Sequence, residues 1–216
     1  RQRQPVTMHP PITETITQRE QLRAVLGEPH PRVVAKVIDH LDAHCRDFIA
    51  RAPFVLLGSA DGKGRVDVSP KGDPPGFVQV LDEHTLAIPE RLGNRLADSL
   101  LNMLERPQVG LLFLIPGKSE TLRASGTARI VQDDWLLSRM QVAGKKPLLA
   151  TVVTVNRVFF HCAKCMLRSH LWEPEQWPQL AGLASLAQVV KDHARLSESV
   201  QQVQAGLDES YRDRLY

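Results

Sequence analysis

The sequence predicts a mainly β protein of the α+β class, in which the strands form a β-barrel and helices flank it. Short apolar stretches follow one another closely between residues 54 and 160, and turn sequences such as Asp61-Gly-Lys-Gly64 separate them. Strands at this spacing are typical of a barrel. A chain of 216 residues with 43% hydrophobic residues can also bury one substantial core.

Helices are expected before the first strand. The segment Thr17-Gln-Arg-Glu20 has the spacing of a capping box and predicts the start of a short helix. A longer helix is predicted from about residue 32 to residue 51, because apolar residues recur along one stripe there. These residues are Val33, Val37, Leu41, Cys45 and Phe48.

The strands are predicted at residues 54–60, 65–69, 77–81, 85–88, 109–115, 121–131 and 149–160. One helix is expected to begin near Asn94 and to stop before Pro107, since the residue preceding a proline disfavours the α region. Helical patterning returns after residue 180, through Leu183, Leu186, Val189 and Val190. The predicted organisation is a tail at 1–14, a barrel domain with its N-terminal helices at 15–178, and a helical extension at 179–216.

The strand-like segment from Arg65 to Lys71 has two chemically different faces. Val66 and Val68 alternate with Arg65, Asp67 and Ser69, which is the period-2 pattern of a strand. Pro70 is expected to end the strand and gives it the character of a sheet edge. By itself the pattern predicts an ordinary half-buried strand followed by a turn.

A second segment, from Pro89 to Arg95, carries two arginines at the expected start of a helix. A helix N-terminus has positive partial charge, so arginine side chains are unfavourable there unless an anion lies between. Phosphate would remove the conflict, because guanidinium groups match its oxygens and Gly93 allows a close backbone approach. The alternative is that Arg91 and Arg95 are solvated in a surface loop.

In combination, five stretches resemble the pyridoxamine 5'-phosphate oxidase-like superfamily of FMN-binding split β-barrel proteins. Within it they are similar to a bacterial group of FMN-dependent enzymes of unassigned substrate. The stretches are residues 68–77, 86–95, 109–116, 121–130 and 162–172, and the resemblance covers residues 15–178.

The resemblance implies that FMN is the cofactor and indicates where it binds. The first segment would run along the isoalloxazine ring, and its cofactor-binding residues would be Arg65, Val66, Asp67, Val68, Ser69 and Lys71. The second would supply the phosphate clamp, from Pro89 through Arg91, Asn94 and Arg95. Lys164, Arg168 and Ser169 are expected near the flavin or the substrate.

The activity implied is that of an FMN-dependent oxidoreductase acting on an unidentified small molecule, in a homodimer with the flavin at the subunit interface. Lys71 or Arg65 near the pyrimidine edge of the ring would stabilise the negative charge that develops on reduction. No residue stands out as an obligatory acid or base, which is expected when the flavin carries the chemistry. The Trp- and Arg-rich ending of the pyridoxamine phosphate oxidases is absent, so that substrate is not expected.

The alternative hypothesis is a non-catalytic protein that binds or carries a flavin, a deazaflavin or haem. His161, His170 and His84 are candidate haem ligands, although nothing in the sequence marks one of them as axial.

Three cysteines argue against a disulfide framework. Cys162 and Cys165, with His161 and His170 nearby, could indicate zinc, but no second ligand pair has the required spacing. In a strand the two thiols would also point to opposite faces. No metal site is therefore predicted.

Composition limits the remaining functions. The net charge of +3 comes from scattered Lys and Arg, and only 5% of residues are aromatic, so nucleic-acid binding is not expected. There is no apolar stretch long enough to span a membrane. The N-terminal residues lack the apolar core of a signal peptide, which favours the cytoplasm.

Overall fold

The computed structural model describes residues 10–91 and 93–216. The chain divides into two compact units, one ending at Lys36 and one running from Val37 to Tyr216. The first contains helices α1 (Arg19–Leu26) and α2 (Pro31–Ala35). Residues 1–9 of the predicted tail lie outside the described residues, and the predicted boundaries at 14/15 and 178/179 stay predictions.

Helix α1 begins slightly later than the sequence pattern indicates. The Gln21 side chain accepts hydrogen bonds from the backbone N–H groups of Thr17 and Gln18, at 3.0 and 3.1 Å. The helix therefore starts after Gln18, whose backbone is extended. The prediction of a short helix is confirmed, but its capping residues are Gln18 and Gln21 rather than Thr17 and Glu20.

The prediction of one long helix over residues 32–51 is wrong. The helical segments are α2 and α3 (Ala43–Arg51), and Ile38 between them exchanges backbone hydrogen bonds with Val158, at 2.9 and 2.7 Å. Asp42 then caps α3, its Oδ1 accepting from the Cys45 N–H at 2.8 Å. Pairing with a distant strand therefore interrupts a pattern that is helical by local criteria.

The second unit is built on a seven-stranded antiparallel sheet of order β2-β1-β5-β6-β7-β4-β3. The predicted mainly β fold is confirmed, although the third strand is shorter than expected. Pro70 lies inside β2 instead of ending it, which an edge strand tolerates because the missing N–H can face away from the sheet. The strands are β1 (Phe54–Ala60), β2 (Val66–Gly72), β3 (Gln79–Val80), β4 (Thr85–Glu90), β5 (Gln108–Leu114), β6 (Thr121–Val131) and β7 (Leu149–His161).

Five further helices surround or follow the strands: α4 (Asp98–Glu105), α5 (Asp134–Arg139), α6 (Lys164–Ser169), α7 (Leu186–Ala194) and α8 (Val200–Asp213). The helical patterning after residue 180 is confirmed by α7 and α8. Helices α5 and α6 were not predicted, because helices of six residues are too short to display a clear period.

The main core lies on the inner face of the sheet. Val55 and Leu57 of β1 are fully buried there, as are Phe113 of β5 and Val158 of β7, and α3 covers them with Ile49. A smaller cluster lies on the other face of β4 and β7, where α5 packs. The outer face of β1 and β5 contributes no residue to this smaller cluster.

None of the helices in the described ranges combines the length and the apolar character that crossing a membrane requires.

Candidate cofactor site

The two predicted cofactor segments meet where the ends of the sheet approach each other. Four strands separate β2 from β4 in the strand order, and in a flat sheet, at about 4.8 Å per strand, they would lie roughly 24 Å apart. Yet the Lys71 Nζ lies 2.5 Å from the Glu90 Oε2, which joins the end of β2 to the end of β4. The sheet therefore curls round on itself, as a barrel requires.

The Lys71–Glu90 pair is largely shielded from solvent, with side chains 15% and 10% exposed. The other carboxylate oxygen of Glu90 accepts a hydrogen bond from the Thr151 hydroxyl at 2.9 Å. Lys71 is paired with the fully buried Val55 of β1, so its side chain belongs to the inner face of the sheet. The ammonium group already has an internal partner before any ligand is considered.

A second ion pair lies just beyond the first. The Arg91 Nε donates to the Asp73 Oδ2 at 2.5 Å, and the Arg91 Nη2 donates to the Met140 carbonyl at 2.7 Å. Arg91 is 15% exposed and Asp73 only 1%. The Tyr216 hydroxyl donates to the other Asp73 oxygen at 2.9 Å, and this hydrogen bond raises the pKa of Tyr216 above its ordinary value. Arg91 is thus held inside the protein.

Arg65 lies at the opposite end of β2. Its Nε donates to the Asp61 Oδ2 at 2.6 Å, while most of the side chain is exposed. Asp61 also accepts from the Arg65 backbone N–H at 2.8 Å, and this bond is the main reason why the pKa of Asp61 lies below its usual value. Arg65 and Lys71 therefore mark the two ends of one strand and do not converge on a single point.

The two faces of β2 are reversed relative to a strand that buries its apolar side chains. Val66 and Val68 are 75% and 56% exposed, whereas Asp67, Ser69 and Lys71 are half-buried. The strand is half-buried with two different faces, as its period-2 pattern predicts, but the pairing of β2 with β1 turns its polar residues toward the inside. The valines are left on the outer face.

The loop after β4 contains the rest of the predicted phosphate clamp. Pro89 is buried in β4, while Asn94 and Arg95 are exposed. The Asn94 Oδ1 accepts from the Leu96 N–H at 3.0 Å. Arg95 and Ala97 have positive φ values of 62° and 58°, which delays the helix to Asp98 rather than Asn94. Arg95 has no side-chain partner within the described part of the chain.

A cavity of about 420 Å³ opens on the outer face of the sheet, beside β2. One row of its lining crosses five strands through paired residues: Val68, Gly58, Gly110, Ser125 and Arg157. The next row consists of Leu56, Leu112, Arg123 and Phe159. In the first row, Gly58, Gly110 and Ser125 are small and leave an open space. The larger residues of the second row border this space.

A family model described as pyridoxamine 5'-phosphate oxidase matches residues 41–162, which is more than half of the chain. The chain belongs to this family. The match spans all seven strands and both predicted cofactor segments. It confirms the resemblance seen in the sequence and, together with the closed sheet, the predicted split-barrel fold.

Solved structures are similar to the chain at low identity. HupZ from group A Streptococcus is 18% identical, covering 55% of this chain and 92% of its own, with a TM-score of 0.45. An FMN-binding protein from Syntrophomonas wolfei is 12% identical, covering 66% and 96%, with a TM-score of 0.42. The heme storage protein HutZ from Vibrio cholerae is 14% identical, covering 56% and 93%, with a TM-score of 0.40. Likenesses of this extent carry no information about ligand or activity. No curated protein matches the chain.

The match to the family model ends at residue 162, before α6. Helix α6 contains the three residues that were predicted to lie near the flavin or the substrate. Lys164, Arg168 and Ser169 are exposed and do not line the cavity, whereas their neighbours Cys165 and Met166 do. Cys165 belongs to α6. Cys162 and Cys165 therefore do not lie on opposite faces of one strand.

The candidate haem ligands are dispersed. His161 lines the cavity, and its ring lies 6.5 Å from that of Phe159. The His170 Nδ1 lies 3.0 Å from Glu173, and the His84 Nδ1 lies 3.2 Å from the Asp39 carbonyl. Among these three histidines, His161 is the one that lies next to the cavity.

Sequence reasoning missed the carboxylates of Glu90 and Asp73 and the cavity residues Arg123, Arg157 and Phe159. An alternation of polar residues on β6 and near the end of β7 was the available signal. It could not be interpreted without knowing which strands are neighbours.

Proposed function

We propose that this member of the pyridoxamine 5'-phosphate oxidase family binds FMN beside β2 and the loop that follows β4, and that it is an FMN-dependent oxidoreductase. One observation carries the proposal: the two segments predicted to form the cofactor site lie far apart in the strand order but are joined through Lys71–Glu90 and Arg91–Asp73. When bound, FMN would supply the hydride and electron transfer.

Arg95 is the best candidate to bind the phosphate. Its guanidinium is exposed and needs no exchange of partners, whereas Arg91 and Lys71 could contribute only by sharing donors with Asp73 and Glu90. The ring edge would lie along β2, which pairs with β1 alone in the described sheet. An unpaired strand edge offers backbone N–H and C=O groups, which fit the polar edge of a flavin.

The proposal is tested by comparing FMN with riboflavin. Replacing Arg95→Ala should weaken FMN binding by about tenfold to a hundredfold, the effect of losing a charge-assisted hydrogen bond, and should leave riboflavin binding nearly unchanged. Arg129→Ala removes an exposed arginine of β6 and serves as the matched control. Equal losses for both ligands would refute the clamp.

The oxidoreductase activity has its own test. The purified protein should show flavin absorption and release FMN on denaturation, and the bound flavin should be reduced and reoxidised through an added donor and acceptor. A bound flavin that no reductant or substrate changes would support the carrier hypothesis instead.

A homodimer with the flavin between subunits is part of the proposal. The outward-facing Val66 and Val68 support it, because exposed apolar side chains on one face of a sheet are typical of a covered surface. Light scattering on the FMN-loaded protein should give the mass of two chains. A monomer that binds FMN with full affinity would contradict this part.

Haem is the second candidate, and the position of His161 at the cavity favours it. A haem protein would show a Soret band that shifts or disappears in His161→Ala. A flavin spectrum without such a band would leave FMN as the ligand.

A further inference from the structure

Cys162 and Cys165 lie at the point where a strand passes into a helix. Strand β7 ends at His161, Cys162 follows it directly, and Cys165 lies in the first turn of α6. Both cysteines are exposed and both are free thiols. The two thiols are therefore close together in the chain and accessible to small molecules in solution.

The backbone between the two cysteines brings their Cα atoms close together. The peptide bonds of this segment are trans, so the distance between Cα atoms three residues apart is set by the φ and ψ angles of the two residues between them. Ala163 has φ −70° and ψ −10°, and Lys164 is the first residue of α6. Because both are helical, the two Cα atoms lie about 5 Å apart. Disulfides join Cα atoms roughly 4.4–6.8 Å apart, so the pair is within bonding reach.

The surroundings of the pair are basic. Lys164 lies between the two cysteines, and Arg168 follows in the next turn of α6. The sequence has neither Asp nor Glu between residues 135 and 172. Glu120, just before the neighbouring strand β6, is already paired with Lys118. The local charge therefore favours an anionic reaction partner, and glutathione disulfide is anionic at neutral pH.

We propose that Cys162 and Cys165 form a thiol–disulfide exchange site, which a small disulfide such as glutathione disulfide converts to an intramolecular disulfide. The thiolate of one cysteine attacks a sulfur of glutathione disulfide, which forms a mixed disulfide and releases one glutathione thiolate. The second cysteine gives its proton to solvent and attacks the mixed disulfide, which forms the Cys162–Cys165 bond and releases the second glutathione. The protein loses two electrons and two protons, and glutathione disulfide takes them up as two thiols.

The position of the pair also predicts that the bond is readily reduced again. Its formation is fast because the second step is intramolecular and the two thiols are held close together. The closed loop runs only from Cys162 to Cys165, so the bond gains little stability from restricting the unfolded chain. Exposed disulfides are also open to attack by thiolates. The site is therefore suited to exchange rather than to permanent stabilisation.

Incubating the purified protein with glutathione disulfide and measuring its intact mass tests the inference. The wild type should lose the mass of two hydrogen atoms, peptide mapping should find the bond between Cys162 and Cys165, and reduced glutathione should reverse the change. Cys162→Ser and Cys165→Ser should each stop at the mixed disulfide and retain one glutathionyl group. Cys45→Ala, which removes the buried thiol of α3, is the control and should form the bond like the wild type.

Two variants of Lys164 test the backbone argument. A proline disfavours the α region for the residue before it, so Lys164→Pro should make Ala163 extended and separate the two cysteines. At the same ratio of glutathione disulfide to glutathione, its ratio of disulfide to dithiol should be about tenfold lower than that of the matched control Lys164→Ala. Circular dichroism melting shows that each variant remains folded.

Several outcomes would overturn the inference. They are no reaction of the wild type, two glutathionyl groups retained on one chain, a bond between two chains, and a bond that includes Cys45. Equal bond formation in Lys164→Pro and Lys164→Ala would do the same, because closure would then not depend on the helical backbone. The measured quantity is a mass and requires no bound FMN, so the result is independent of the proposed function.

Discussion

At the scale of single residues, the three cysteines differ sharply in accessibility. Cys45 is buried in α3, and burial is the main cause that raises its pKa to about 12. Cys162 and Cys165 are both exposed. Because the thiolate is the reactive form, only the exposed pair should react readily near neutral pH.

Alkylation of the native protein with iodoacetamide near pH 8 should therefore modify Cys162 and Cys165 quickly and leave Cys45 intact. Mass spectrometry of the peptides would assign the sites, and unfolding in denaturant should make Cys45 reactive. Rapid modification of Cys45 in the folded protein would contradict the burial of α3.

Lys71 and Arg91 both form ion pairs within the protein. Lys71 was predicted to lie near the flavin ring and Arg91 to bind the phosphate, and both are held by carboxylates that the structure brings to them. Because α4 begins only at Asp98, Arg91 does not lie at the helix start, and Asp73 gives its guanidinium a counter-charge within the protein.

At the scale of elements, the pairing of β6 with β7 contains an irregularity that depends on glycine. The register shifts between Ser125 and Gly126. A Cβ on Gly126 would lie 2.0 Å from the Thr154 carbonyl oxygen and 2.9 Å from the Val155 Cα. These are backbone atoms, so they cannot move aside without disturbing the strand pairing.

Gly126→Ala should therefore lower the free energy of unfolding by about 3 kcal/mol, the upper end of the usual cost of overpacking. Gly110→Ala, in the neighbouring strand with open space around its Cβ, is the matched control and should be close to neutral. Urea unfolding measures both. Similar stabilities for the two variants would show that the bulge relaxes at little cost.

The cap of α3 gives a pH-dependent prediction. The Cys45 backbone N–H is the main cause that lowers the pKa of Asp42 in the folded protein. A lowered carboxyl pKa stabilises the fold above the unfolded-state value, about 3.9, and the stabilisation is lost as the pH falls through the folded value. Asp42→Ala should cost about 1 kcal/mol at neutral pH.

The stability difference between Asp42→Ala and the wild type should shrink as the pH falls below about 4 toward the lowered pKa of Asp42 in the folded protein. Asp42→Asn retains a side-chain acceptor and should keep most of the stability at every pH. Unfolding measured across the acid range checks this, and a difference that does not change with pH would exclude the charged cap.

At the scale of the whole molecule, two shielded ion pairs close the barrel. The Asp73–Arg91 pair connects the turn after β2 to the chain that leaves β4. Removing one member of a buried pair leaves the other charge without compensation.

Asp73→Asn should lower the free energy of unfolding by about 3 kcal/mol, since the largely buried Arg91 then lacks a compensating charge. Glu120→Gln removes a carboxylate from the exposed pair with Lys118 and should hardly change the melting temperature. Thermal unfolding of the two variants distinguishes a structural closure from an ordinary surface pair. Equal melting temperatures would show that Asp73 does not hold the barrel closed.

Local patterns in the sequence were enough to predict the strands, the barrel class and the family. Period-2 alternation, turn residues and prolines are local properties, so they identified most strands within a few residues, and β6 over residues 121–131 in full. The family match then confirmed the resemblance carried by the motifs.

Four features became known from the three-dimensional fold alone: which face of β2 points inward, where the long helical pattern breaks, which carboxylates hold Lys71 and Arg91, and where the outer cavity opens. Each of these depends on a contact between residues distant in the chain, such as Ile38 with Val158 or Lys71 with Glu90. Local patterns fix what a segment can become, whereas strand register and barrel closure fix what its side chains meet.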